Sequence, residues 1–160
     1  MTIRQLHEND KSIMLELLTN GEIKQTYILP DFERKEDALP LFRQLVQLSQ
    51  DQAHFVRGIC ENEELIGFLN DVEITDDGIE LGYVIHPLHW GKGHATEALN
   101  LAIEELFRLG YREVTAGAFE ENSASIRVME KAGMQRLDKI DELDYRGKTH
   151  RCVYYARKHM

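Results

Sequence analysis

The stretch Glu80-Leu81-Gly82-Tyr83-Val84-Ile85-His86-Pro87, continued by Leu88-His89-Trp90-Gly91-Lys92-Gly93-His94-Ala95-Thr96-Glu97-Ala98, decides the fold. Its first half is rich in β-branched and aromatic residues and reads as a strand. Pro87 ends that strand, because proline has no N–H to give to a ladder. The second half reads as a short glycine-bearing loop feeding an amphipathic helix. Ala95, Ala98, Leu99, Ala102, Ile103, Leu106 and Phe107 recur at the spacing of one helical face. Leu101 and Leu109 lie off that stripe, so the helix is expected to be buried on more than one side. Gly110 supplies a C-terminal cap.

A strand, a glycine turn and a helix N-terminus together make an anion site. The first N–H groups of a helix have no partner within it, and the helix dipole adds roughly half a positive charge there. Phosphate is the usual occupant. Gly91 and Gly93 allow close approach of the backbone and a positive φ. A P-loop needs Ser or Thr after Gly-Lys, and Gly93 follows Lys92. A dinucleotide fingerprint needs a third glycine, and Thr96 stands there.

Working outward, the segment before Glu80 reads as antiparallel strands. Ala53 to Cys60 (centred on His54-Phe55-Val56-Arg57-Gly58-Ile59) and Leu65 to Ile74 flank the charged turn Glu61-Asn62-Glu63-Glu64. Asp76-Asp77-Gly78 is a second hairpin turn. Upstream lie a short strand at Thr2–Leu6 and a helix capped by Asn9-Asp10 with Ile13, Met14, Leu17 and Leu18 on one face. A second helix is expected from about Glu36 to Gln50. The intervening segment holds Tyr27, Pro30 and Phe32 and reads as a connector or a substrate lid. Downstream, Arg112 to Phe119 is a strand after a helix, which makes a β-α-β unit with a parallel pair. A helix opened by Asn122 and ended by Gly133 follows, then a hairpin through Tyr145-Arg146-Gly147-Lys148. The expectation is an α/β chain with a mixed sheet, about seven strands and about four helices, in a single domain over residues 1–160.

Composition bounds the function. No apolar run approaches a membrane span, and the N-terminus lacks the apolar core of a signal peptide, so cytoplasmic residence is expected. The formal net charge of -9 argues against nucleic acid as the main partner and suits a cationic or amine-bearing one. An acidic surface also serves solubility alone. Cys60 and Cys152 form no metal or redox spacing and read as buried free thiols. His86, His89 and His94 surround the loop, but no carboxylate or cysteine completes a compact ligand set, so no metal is expected.

Trp90 to Ala95 forms the arrangement x-x-x-Gly-x-Ala. It resembles the pyrophosphate loop of GCN5-related N-acetyltransferases (GNAT), Gln/Arg-x-x-Gly-x-Gly/Ala, with Trp90 at the Gln/Arg position. The wording Trp-Gly-Lys-Gly-x-Ala-Thr-Glu-Ala resembles the ribosomal-protein alanine acetyltransferase (RimJ/RimL-like) branch. A second segment, Asn122-Ser123-Ala124-Ser125-Ile126-Arg127-Val128-Met129-Glu130-Lys131-Ala132-Gly133-Met134, resembles the family's Asn-x-x-(Ala/Ser)-x-x-(Leu/Val)-(Tyr)-x-Lys-x-Gly-(Phe/Met), one β-α-β unit later. The likeness covers about Leu65 to Tyr155; the first sixty residues match in element order only.

The resemblance implies acetyl-coenzyme A as cosubstrate. The backbone of Val84 and Ile85 would pair with the pantetheine arm where the parallel strands splay. The N–H groups of Gly91, Lys92, Gly93, His94, Ala95 and Thr96 would hold the pyrophosphate. Asn122 would bond the pantetheine, and Lys131 would reach a phosphate. The implied reaction is direct attack of a neutral amine on the thioester. Glu80 is the expected base, directly or through water, because it interrupts an apolar strand and desolvation raises a carboxyl pKa; the bland alternative pairs it with a neighbouring Arg or Lys. The family's acid tyrosine falls at Met129, which has no proton to donate, so Ser125 is the expected partner of the thiolate. Trp90 reads as a packing residue beneath the loop.

Tyr27, Phe32, Glu73, Glu120 and Glu121 are candidates for the acceptor pocket. The acceptor is expected to be a protein N-terminus or a polyamine- or aminoglycoside-like amine, with neither nucleic acid nor membrane, and a homodimer is compatible with the sequence. A non-catalytic acyl-coenzyme A sensor is the competing class, and the missing tyrosine is its sequence feature.

Overall fold

The computed structural model describes residues 1–160. Its strands are β1 (Thr2–Arg4), β2 (Val56–Glu61), β3 (Glu64–Ile74), β4 (Gly78–Ile85), β5 (Glu113–Phe119), β6 (Gln135–Tyr145) and β7 (Lys148–Lys158). Its helices are α1 (Lys11–Thr19), α2 (Leu39–Gln50), α3 (His94–Arg108) and α4 (Ser123–Lys131). The strands form one seven-stranded sheet in the order β1-β2-β3-β4-β5-β7-β6. Pairing is parallel between β4 and β5, and antiparallel in the β1–β2, β2–β3, β5–β7 and β6–β7 ladders. The chain divides into two compact units, Met1–Asp71 with Tyr83–His94, and Val72–Gly82 with Ala95–Met160.

In the first unit, the β2–β3 hairpin closes on Asn62 and Glu63, with φ of 51° and 68°. Two consecutive positive φ values give the turn whose twist matches right-handed strands. The strand expected from Ala53 begins only at Val56. The residues before it are held otherwise: the Phe55 N–H donates to the Asp71 carboxylate at 2.8 Å and His54 Nδ1 lies 3.0 Å from the same group. Asp10 does stand at the N-cap of α1, but its side chain does not cap that helix. It turns back to accept the His7 N–H at 2.8 Å and two Arg4 guanidinium bonds at 2.9 Å each. Burial pushes the Asp10 carboxyl up, and those bonds outweigh it and hold it below its ordinary value. Leu6, Met14, Leu17, Phe42, Val56, Phe68 and Val84 build the core of this unit. Each such side chain contributes roughly 2 kcal/mol by leaving water.

Gly67 sits in the apolar run of β3, and a Cβ there would lie 2.0 Å from the Val84 carbonyl oxygen and 3.1 Å from the Ile85 Cα. Main chain cannot swing aside as a side chain can. Gly67→Ala is therefore expected to displace the end of β4 and to destabilise the protein by about 3 kcal/mol, the scale of overpacking a tight site. Chemical denaturation measures it, and an unchanged midpoint would contradict the close approach.

In the second unit, the turn Thr75–Gly78 joins the ends of β3 and β4, with the Thr75 N–H on the Gly78 carbonyl at 2.9 Å. The parallel register runs from Gly78↔Glu113 to Leu81↔Ala116, and β5 continues to Phe119 paired with β7. Ala98, Leu99, Ala102, Ile103 and Leu106 form the buried face of α3. Leu101 is partly buried, but Leu109, expected on a second buried face, is 62% exposed. The helix has ended at Arg108, and the Tyr111 N–H on the Leu106 carbonyl turns the chain away. The β6–β7 hairpin closes on Arg146-Gly147, both with positive φ. Cys60 and Cys152 are buried free thiols.

Candidate active site

The glycine loop has the geometry that the residue types dictate. Gly91 and Gly93 have φ of 76° and 81°, and a Cβ on either would meet nothing within 4 Å. Gly91, Lys92 and Gly93 are exposed. None of the N–H groups from Gly91 to Thr96 donates to a main-chain carbonyl, whereas the preceding His89 and Trp90 N–H groups bond His86 and Pro87 at 2.8 and 3.2 Å. The run of unpartnered donors thus begins at Gly91 and carries on into the first turn of α3. Their residue types explain it: the two glycines hold the chain in left-handed conformations that form neither ladder nor helix, and the first helical residues have no carbonyl behind them.

The His94 imidazole faces Glu61 on β2, with Nδ1 3.6 Å from the carboxylate, so only its N–H belongs to the loop. His86 Nε2 lies 2.9 Å from Glu16 on α1. The His86–His89 and His89–His94 ring centroids are 6.3 and 6.1 Å apart, a row of rings turned to different partners. No group of three His, Cys, Asp or Glu side chains is placed to hold a metal ion.

Trp90 corrects its sequence reading. It is 48% exposed rather than packed beneath the loop. Its indole N–H donates to the Ile85 carbonyl at 2.7 Å. That acceptor, on one of the two residues expected to pair with pantetheine, is therefore already engaged.

Glu80 stands half-buried on β4, in register with Thr115 of β5. Burial raises its carboxyl pKa, Lys139 lowers it, and the carboxylates of Glu73 and Asp141 raise it further. No ion pair reaches it. Lys139 lies instead 3.8 Å from Asp141 and 4.4 Å from the centre of the Tyr154 ring. The Tyr154 hydroxyl donates to Asp141 at 2.9 Å, and burial followed by that carboxylate raises the phenol well above its ordinary value. The Tyr154 ring lies against Gly117, where a Cβ would meet it at 2.8 Å. No sequence signal linked Glu80 to Asp141, because they lie on strands far apart in the chain.

Asn122 caps α4, its side-chain oxygen accepting the Ser125 N–H at 3.2 Å. This leaves its amide N–H groups without a protein partner. Asn122→Ala is expected to cost about 1 kcal/mol of stability through the lost cap, read as a lower melting temperature; no change would show that the cap bond contributes nothing. Lys131 is exposed at the other end of α4, about 13 Å away at 1.5 Å per residue. Only an extended ligand spans both. Ser125 lies in the first turn of α4, half-buried, and Met129 is fully buried in the same helix.

Of the residues considered for the acceptor, Glu120 is 3.9 Å from both Arg136 and Arg151. Glu121 bonds His150 at 2.6 Å and lies 3.9 Å from Lys148. Both carboxylates thus already face cations. Tyr27 donates to Asn70 on β3 at 2.5 Å and meets Phe68 edge-on at 5.9 Å, which ties the segment between α1 and α2 to the sheet. Phe32 is partly buried beneath the Lys24 ammonium, 6.0 Å from its ring centre.

A mixed sheet whose one parallel pair, β4 and β5, is connected through a glycine loop and a helix with open amides at its start belongs to the α/β class of folds, in which such a helix start suits an anionic ligand. Residues 1–135 match the family model described as an acetyltransferase (GNAT) domain, and the chain belongs to the GNAT family. It is an acetyl-coenzyme A-dependent N-acetyltransferase. The uncharacterized N-acetyltransferase YoaA of Bacillus subtilis (strain 168) is 27% identical over 154 residues, 93% of this chain and 87% of that protein. The structure of RimL, a ribosomal L7/L12 alpha-N-protein acetyltransferase, in complex with coenzyme A superposes with a TM-score of 0.87 at 20% identity, over 98% of this chain and 92% of that one. Spermidine N-acetyltransferase from Vibrio cholerae, in complex with CoA and spermine, gives 0.83 at 21% identity, over 98% and 94%.

Proposed function

We propose that the chain transfers the acetyl group of acetyl-coenzyme A to a primary amine by direct attack, with Glu80 as base. The observation that carries this is the uninterrupted series of unpartnered N–H groups from Gly91 to Thr96, a donor set suited to a diphosphate. In this reading Val84 and Ile85 align the pantetheine through their remaining main-chain groups. Asn122 adds a side-chain donor and Lys131 a distant cation. Glu80 takes the ammonium proton, directly or through water. The amine nitrogen bonds the carbonyl carbon, the carbon–sulfur bond breaks, and the second proton that the nitrogen sheds on becoming an amide passes to the departing thiolate, directly or through water. The thiolate leaves without strong acid help, since a thiol pKa lies near 8.5, and Ser125 bonds the sulfur. The raised carboxyl of Glu80 supports the role, because a base works best with a pKa near the working pH.

The acceptor is an amine, and the half-buried Glu80 beside Glu73 and Asp141 favours a cationic one. The relatives cover both kinds: RimL acts on a ribosomal protein N-terminus, and the Vibrio enzyme on a polyamine. A thiol-release assay with peptides bearing free N-termini, polyamines and aminoglycosides, each with acetyl-coenzyme A, is expected to show turnover with one class. Met129, fully buried, stands where the family places its acid, so the leaving sulfur receives no tyrosine proton from α4.

A further inference from the structure

We infer that His86 and Trp90 are positioning residues that hold the glycine loop ready for its ligand, an inference that rests on the diphosphate reading of that loop. A loop that must order on binding loses affinity to the ordering. Gly91 and Gly93 have open space around them, so nothing within the loop itself keeps its shape. What does so is the turn Pro87–His89 immediately before it, which side-chain bonds clamp at both ends.

At the front, His86 Nδ1 accepts the Leu88 N–H at 3.1 Å. An accepting Nδ1 places the ring proton on Nε2, which then donates to Glu16 at 2.9 Å. The His86 main-chain N–H donates to the Ile66 carbonyl at 2.7 Å. With the residue 7% exposed, the imidazole is held in one orientation by helix α1 and one tautomer. At the back, the Trp90 indole N–H donates to the Ile85 carbonyl at 2.7 Å, so the residue just before Gly91 is tied to the residue just before His86. Core packing does not account for Trp90, half of which lies in solvent. The two bonds fix where the chain leaves β4 and where it enters the loop.

Calorimetry with CoA on the full chain tests this. His86→Ala and Trp90→Phe each remove one clamp and are each expected to weaken CoA binding about tenfold, the upper scale of one lost hydrogen bond. His86→Asn restores an acceptor for the N–H two residues on and is expected to bind within about threefold of wild type. Asparagine does not restore the packing or the Glu16 bond of histidine, so a merely structural role would leave both His86 variants equally weak. Trp90→Phe alters an exposed side chain and keeps the arm readable if His86→Ala does not fold. Wild-type binding with Trp90→Phe unchanged, or with His86→Asn as weak as His86→Ala, overturns the inference alone. A wild-type chain that does not bind CoA overturns the functional reading and this inference with it.

Discussion

Gly93→Asp is expected to abolish measurable CoA binding while leaving the protein folded. A carboxylate at this position faces the same donors as the diphosphate and repels it. At about 5 Å and an effective dielectric of about 20, one such pair costs about 3 kcal/mol, more than a hundredfold in affinity. The fold tolerates the change because a Cβ at Gly93 meets nothing within 4 Å. The positive φ costs on the order of 1 kcal/mol, and Asp is among the residues that accept it best. Gly93→Ala carries the same strain without the charge and serves as the control. Calorimetry showing near-wild-type affinity in Gly93→Asp would remove the loop from ligand binding.

Glu80→Gln is expected to lower the rate about a hundredfold, the lower range for a lost general base, with the loss greatest between the pKa of Glu80 and that of the amine, where the carboxylate is ionised and the amine still has a proton to shed, and smallest in acid, where Glu80 is itself protonated. A rate profile parallel to wild type would remove Glu80 from the chemistry. The same variant has a stability signature. The folded-state pKa of Glu80 is raised, first by burial and then by Glu73 and Asp141. Its contribution to stability is thus fully present below the unfolded-state carboxyl pKa and lost as pH rises through the folded value. At neutral pH the ionised group is a cost. Glu80→Gln is expected to raise the melting temperature at pH 7 to 8, and the gain should vanish in acid where wild-type Glu80 is protonated. Lower thermal stability at neutral pH would mean that the carboxylate is paired after all.

The elements were legible because local chemistry settles them. Pro87 ends β4, the α3 stripe repeats at helical spacing, Asn122 caps α4 through its own side chain, and Asn62-Glu63 and Arg146-Gly147 adopt the turns that join adjacent strands. The β-α-β order required a parallel pair, and β4–β5 is one. Errors clustered where a side chain had two possible partners. Asp10 has the residue type of a helix cap but bonds Arg4 and His7, because a charged donor outcompetes the helix amides. Trp90 has the composition of a core residue, yet its indole N–H finds a strand carbonyl and leaves the ring half in water.

The sequence by itself determined the family, the glycine loop with its open amides and the strand that bears the candidate base, since each is written in contiguous residues whose φ preferences and missing N–H partners act locally. Only the tertiary structure decided what surrounds Glu80, why Gly67 has no side chain, and how His86 and Trp90 brace the turn. Those relations join residues distant in the chain or turn on which of several open acceptors a donor reaches, and a linear pattern carries neither distance nor direction.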